Sequence, residues 1–279
     1  MKRSTMRTLR LFPATLALLA AAAFAPAPAF AQDDDDDWVE RCRRWNRDSD
    51  REVHCEERET RLRPRGELHV DGRQNGGISV KAWDRDEILV RIQIQSTAQT
   101  LAAARAQAGD IEVRTGGAEI YAEGPEHSRR AHWSVSYEIF VPAETDLELR
   151  TTNGPISLRG TEGEVEATAL NGPITVTGGG GHIRGRAQNG PVTARLEGSR
   201  WYGAGLDLET TNGPATLVVP AGYNAELETG TVNGPMSLDF PLTVTVQGRV
   251  TRRIRTELGR GGAPIRVVTT NGPVTLRRQ

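Results

Sequence analysis

The tripeptide Asn-Gly-Pro occurs six times in this chain, at Asn153-Gly154, Asn171-Gly172, Asn189-Gly190, Asn212-Gly213, Asn233-Gly234 and Asn271-Gly272. The spacings are 18, 18, 23, 21 and 38 residues, and the last is close to two of the others added together. A period of about 20 marks a repeat architecture, in which each unit buries its apolar face only against its neighbours. Apolar residues alternate with polar ones on both sides of the tripeptide, as Leu147, Leu149 and Thr151 do before Asn153 and Ile156 and Leu158 after it. Period two on both sides predicts two short strands per unit, each with one inward face.

Asn-Gly is also a strong two-residue hairpin signal. A hairpin needs the residue after Gly to donate its N–H back across the turn, and here that residue is Pro, which has none. The tripeptide therefore reads as a corner that passes the chain from one sheet to the next. On this reading Gly takes the left-handed conformation, Pro opens the next strand, and each Asn stacks on its equivalent one coil away in an amide ladder. The outward residues Ser157, Thr175, Thr193, Thr216, Ser237 and Thr275 form a column of hydroxyls, which is the candidate contact surface.

The ends and the composition narrow the functional classes. Lys2, Arg3, Arg7 and Arg10 precede an apolar run from Leu11 to Phe24 and an Ala29-Phe30-Ala31 site, the order of a secretory signal peptide over residues 1–31. Without that leader the chain has 31 basic and 36 acidic residues, a balance that argues against a nucleic-acid partner. No transmembrane segment is expected in the mature chain. Only 5% of residues are aromatic and 30 are Gly, which suits thin coils. An exported protein is periplasmic or lies at the cell surface, where Cys42 and Cys55 are expected to close as a disulfide. A metal pair with His54 lacks further ligands.

Residues 32–65 are dominated by charge, including the run Asp33–Asp37, and are expected to be a flexible tail. Residues 66–146 read as a cap of antiparallel or mixed strands, with Asn75-Gly76-Gly77 a divergent corner and residues 98–108 a short helix or a loop. Residues 147–279 carry the repeat. The interval between Asn233 and Asn271 reads as one coil without the tripeptide plus an insertion, with Arg249, Arg252, Arg253 and Arg255 either binding an anionic polymer or lying on a solvated face.

No nucleophile elbow, zinc-protease or phosphate-loop motif is present in the sequence. No cofactor is expected, and catalysis is not expected either. The enzymatic alternative is a β-helix lyase or hydrolase using Asp207 and Glu209, which share a face. The third alternative is a component of envelope stress signalling.

Taken together, the leader, Asn75-Gly76-Gly77-Ile78 followed by Trp83-Asp84-Arg85, a strand ending Val141-Pro142, the T-x-N-G-x-I units and the closing Gly261-Gly262-Ala263-Pro264-Ile265 resemble the bacterial putative-adhesin family. This is the domain of unknown function related to the auto-transporter adhesin head GIN domain. The resemblance spans residues 66–279 and implies an all-β fold: a right-handed parallel β-solenoid with two short strands per coil, capped by an N-terminal antiparallel or mixed region. The outward hydroxyl column together with the missing catalytic motifs reads as a non-enzymatic binding or scaffold module whose partner is an envelope protein or glycan. The resemblance brings no catalytic residues, and no C-terminal barrel, sorting motif or lipid attachment is expected.

Overall fold

A strand with one apolar face is stable only when that face meets another, and here two sheets provide it. The computed structural model describes residues 38–239 and 253–279, apart from residues 48, 118, 129 and 130. The expected leader, the Asp33–Asp37 run, Arg249 and Arg252 lie outside the described residues. Before the repeats come α1 (Trp38–Trp45), β1 (Glu52–Leu62), β2 (Glu67–Asp71), β3 (Ile78–Trp83), β4 (Ile88–Ala98), α2 (Leu101–Gly109), β5 (Glu112–Arg114), β6 (Glu119–Glu123) and β7 (His132–Pro142). The repeats supply paired strands: β8 (Asp146–Asn153) with β9 (Ile156–Arg159), β10 (Glu164–Asn171) with β11 (Ile174–Thr177), and β12 (His182–Asn189) with β13 (Val192–Arg195). They continue as β14 (Gly205–Asn212) with β15 (Ala215–Val219), and β16 (Ala225–Asn233) with β17 (Met236–Leu238). After β18 (Arg253–Leu258) the final pair is β19 (Pro264–Asn271) and β20 (Val274–Arg278).

The fold is all-β but for the two short helices, and its strands make two ten-stranded mixed sheets. In one the order is β1-β4-β7-β3-β9-β11-β13-β15-β20-β17, and in the other it is β18-β16-β19-β14-β12-β10-β8-β2-β6-β5. Each Asn-Gly corner carries the chain from the second sheet to the first. The repeat strands run parallel within each sheet, and one core of buried Leu, Ile, Val and Ala side chains lies between the sheets. Antiparallel pairing occurs at the ends, where β4 lies between β1 and β7, β5 pairs with β6, and β18 runs along β16 as the edge strand.

The expected flexible tail is corrected in its described part: residues 52–62 form β1, paired along its whole length with β4. Composition argues for disorder when apolar burial is the only source of order, but here main-chain bonds to β4 hold the strand. The Arg58 guanidinium also donates to the Ala108 and Ile111 carbonyls at 3.1 Å, at the C-terminal end of α2. The Cys42–Cys55 disulfide, with Cα atoms 6.2 Å apart, ties α1 to the same strand.

A second correction concerns the C-terminus. Between Asn233 and Asn271 the described chain has no extra coil; β18 runs antiparallel to β16 as an edge strand. The pair β19–β20 then enters between β14–β15 and β16–β17, pairing in register with both. The order of the repeats in space therefore differs from their order in sequence.

Candidate functional site

The corner is built by contacts between coils. Gly172 N donates to Asn189 O at 3.1 Å and Ile174 N to Pro191 O at 3.0 Å, and equivalent pairs recur from coil to coil. Proline stands between these two donors, where no N–H is required. Side-chain amides run alongside: Asn233 donates to Asn271, Asn271 to Asn212, Asn212 to Asn189, Asn189 to Asn171 and Asn171 to Asn153, each at 2.9 Å. Asn153 donates to Asn75 at 3.1 Å, so the divergent corner is the ladder's last acceptor. Every step points the same way. Beneath the ladder lie buried threonines, two residues before each of four corners. Thr151, Thr210, Thr269 and Thr231 donate to the carbonyls of Gly76, Gly190, Gly213 and Gly272 at 2.6–2.9 Å.

The corner glycines are not left-handed. None of the six has a positive φ; left-handed glycines such as Gly160 and Gly178 stand at the opposite corner. What the tripeptide requires is space. A Cβ on Gly172 would stand 1.9 Å from Gly154 O, and one on Gly190 2.2 Å from Gly172 O. Asn171→Ala removes one amide donor and one acceptor from an exposed ladder. It should cost about 1 kcal/mol in a denaturant melt, with any partner binding unchanged.

On the outer face of the first sheet the hydroxyls fall into register: Ser157 faces Thr175, then Thr193, Thr216, Thr275 and Ser237. Thr275 precedes Ser237 because the last coil is interior. Ser79 of β3 extends the column on the other side of Ser157, a position hidden from the repeat because its corner lacks Pro. Two residues further along each strand a second column reads Lys81, Arg159, Thr177, Arg195, Val218 and Arg277. Lys81 is paired with Glu138 at 3.0 Å and Arg277 with Asp239 at 3.8 Å. Among the described residues no ion pair engages Arg159 or Arg195, and both are exposed.

The outer face of the second sheet is charged, and its Asp207 and Glu209 carboxylates are engaged. Asp207 accepts from Arg186 and from Arg266, both at 2.6 Å, and Arg266 also reaches Glu209 at 3.0 Å. Burial pushes the Asp207 carboxyl up, but the bonds from Arg186 and Arg266 outweigh it and leave it below the usual range. A carboxyl held ionised in this way is a poor general acid, so the geometry gives no support to Asp207 and Glu209 as a catalytic pair. His69 and His182, which sit at no fixed sequence offset from an acid, meet Glu148 at 2.5 Å and Glu164 at 3.6 Å across strands. Arg253 and Arg255 face Glu228. Among the described residues no His, Cys, Asp and Glu group is placed to hold a metal ion, and no helix is long and apolar enough to cross a membrane.

Because the native pKa of Asp207 is depressed, the stability from its ion pairs is full above the ordinary carboxylate value of about 3.9 and is lost as pH falls through the native value. Asp207→Asn should cost about 1 kcal/mol at pH 7, discounted for partial exposure. Urea melts of the two proteins should converge as the pH drops from 5 to 2.

Among solved structures, the chain is similar to a putative cell adhesion protein from Clostridium sporogenes, with 9% identity and a TM-score of 0.45, over 81% of this chain and 100% of that one. It is similar to a putative adhesin from Bacteroides fragilis, with 11% identity and a TM-score of 0.33, over 81% and 97%. A third is a putative adhesin from Parabacteroides distasonis, with 9% identity and a TM-score of 0.32, over 80% and 97%. No family model matches the chain, and no curated protein matches it.

Proposed function

We propose that this protein is an exported, non-enzymatic module of the cell envelope that binds a protein or glycan partner through the outer face of its first sheet. On this reading residues 147–279 form a right-handed parallel β-solenoid with two short strands per coil, residues 66–146 cap it, and the Asn-Gly corners are structural. The observation that carries the reading is the column Ser157, Thr175, Thr193, Thr216, Thr275 and Ser237, aligned strand by strand. Parallel strands lie about 4.8 Å apart, so the column offers hydroxyls at even intervals on a surface whose side chains lose little freedom on contact. Such preorganisation favours binding.

The test immobilises the exported protein and screens cell-wall glycans and envelope extracts. A partner retained by the wild type and lost by the Thr175→Lys, Thr193→Lys double variant, with the melting temperature unchanged, supports the face. If no glycan or protein is retained, or if the double variant retains it equally well, the proposal fails.

A further inference from the structure

At the capped end, three unusual features surround one cavity of about 340 Å³, at the small end of the range of ligand pockets, roughly 300–1,000 Å³. The first is Arg73. It is the only non-glycine residue with a positive φ among the described residues, at 51°. Such a conformation is retained where surrounding structure enforces it, and it clusters at ligand sites. Its backbone N–H donates to Asp71 Oδ1 at 2.7 Å, and its guanidinium lies 4.4 Å over the Tyr121 ring.

The second is Tyr137. Its side chain is buried and lines the cavity, and its hydroxyl has no hydrogen-bond partner among the described residues. Buried hydroxyls are normally satisfied, and an exception calls for a reason. Burial pushes this phenol above its ordinary range, with Asp71 adding to the effect and Arg73 opposing it. The group is therefore a neutral donor at any physiological pH.

The third is the end of the amide ladder. Asn75 accepts from Asn153, but its own amide N–H₂ donates to nothing among the described residues, and it lines the same cavity. Part of the lining is aromatic. Trp133 and His127 stack with centroids 5.0 Å apart, and the indole N–H is already engaged by Pro125 O at 2.8 Å, so the indole contributes its ring and no free donor. Glu123 is the acidic group in the lining and Arg73 the cationic one, which leaves the formal charge close to balanced.

We propose that this cavity is a binding site for one neutral sugar residue, separate from the hydroxyl face and independent of it. An aromatic wall suits the C–H face of a pyranose. Tyr137 and Asn75 donate to sugar oxygens, Glu123 accepts from a sugar hydroxyl, and the balanced charge disfavours an ionised ligand.

The experiment is saturation-transfer difference NMR on the full chain with N-acetylglucosamine, galactose and mannose, together with the ¹H–¹⁵N signal of the Trp133 indole. At least one sugar should show ring-proton saturation and shift that signal at millimolar concentration. Tyr137→Phe should weaken binding at least fivefold without lowering the melting temperature, because the hydroxyl it removes makes no bond within the described protein. Asn75→Ala should weaken binding too, and the Thr175→Lys, Thr193→Lys variant should not. The proposal is overturned if no sugar in the panel gives a signal, if binding survives both Tyr137→Phe and Asn75→Ala, or if Tyr137→Phe lowers the melting temperature.

Discussion

Gly172→Ala is expected to cost about 3 kcal/mol and to lower the melting temperature by roughly 10 °C for a chain of this size. The added methyl meets a carbonyl oxygen, Gly154 O, at 1.9 Å, and not the end of a side chain that can rotate away. Both coils are fixed there by main-chain bonds: Gly154 N donates to Asn171 O at 3.2 Å and Ile156 N to Pro173 O at 2.9 Å. The methyl is accommodated only by separating the coils, which stretches those bonds and the amide contact from Asn171 to Asn153. Gly66→Ala is the control, because a Cβ there meets nothing within 4 Å and the backbone does not have a positive φ. It should be neutral within about 0.5 kcal/mol. Calorimetry on the two variants decides the matter, and equal losses would mean that coil spacing is not what the corner glycine protects.

Deleting residues 264–279 should have a still larger effect. The segment buries Ile265, Val267, Val268, Val274 and Leu276, and at about 2 kcal/mol for each side chain the loss is on the order of 10 kcal/mol. That is comparable to the whole stability of an ordinary domain, about 5–15 kcal/mol. The segment also supplies main-chain partners to β14 and β16 in one sheet and to β15 and β17 in the other. Hydrogen exchange should show protection lost across residues 205–238. A peptide of residues 260–279, added during refolding, should restore it, because both flanking coils present matching registers. If β16–β17 moves directly onto β14–β15 in the truncated protein, protection will persist and the peptide will not bind.

That second experiment bears on what the sequence can and cannot disclose. The inward and outward faces of the repeat strands are legible because period two is a local property, and the hydroxyl column follows from it. The position of the last coil is not legible. Leu206, Leu227 and Ile265 occupy equivalent positions before the corner, as do Thr210, Thr231 and Thr269, so a coil next to β14 could come from either later segment. Likewise β1 is held by backbone pairing and by Arg58, neither of which leaves an apolar pattern to read. The corner glycines are legible as necessary, but turn chemistry points to a conformational reason, whereas the structure gives a contact between neighbouring turns of chain. The cavity at the cap could not be read at all, since Arg73, Glu123 and Tyr137 converge only after β2, β6 and β7 have been placed.

The placement of the final coil links the order of synthesis to the order of assembly. Repeats up to β15 can stack one on another as they emerge, but the place beside β14 is filled by β19, which follows β16 and β17 in the chain. β16 and β17, although synthesised earlier, reach their final neighbours only once Asn271 is in place. The two sheets thus close from within: the strand pair made after β16 and β17 becomes a middle course, not an outer one.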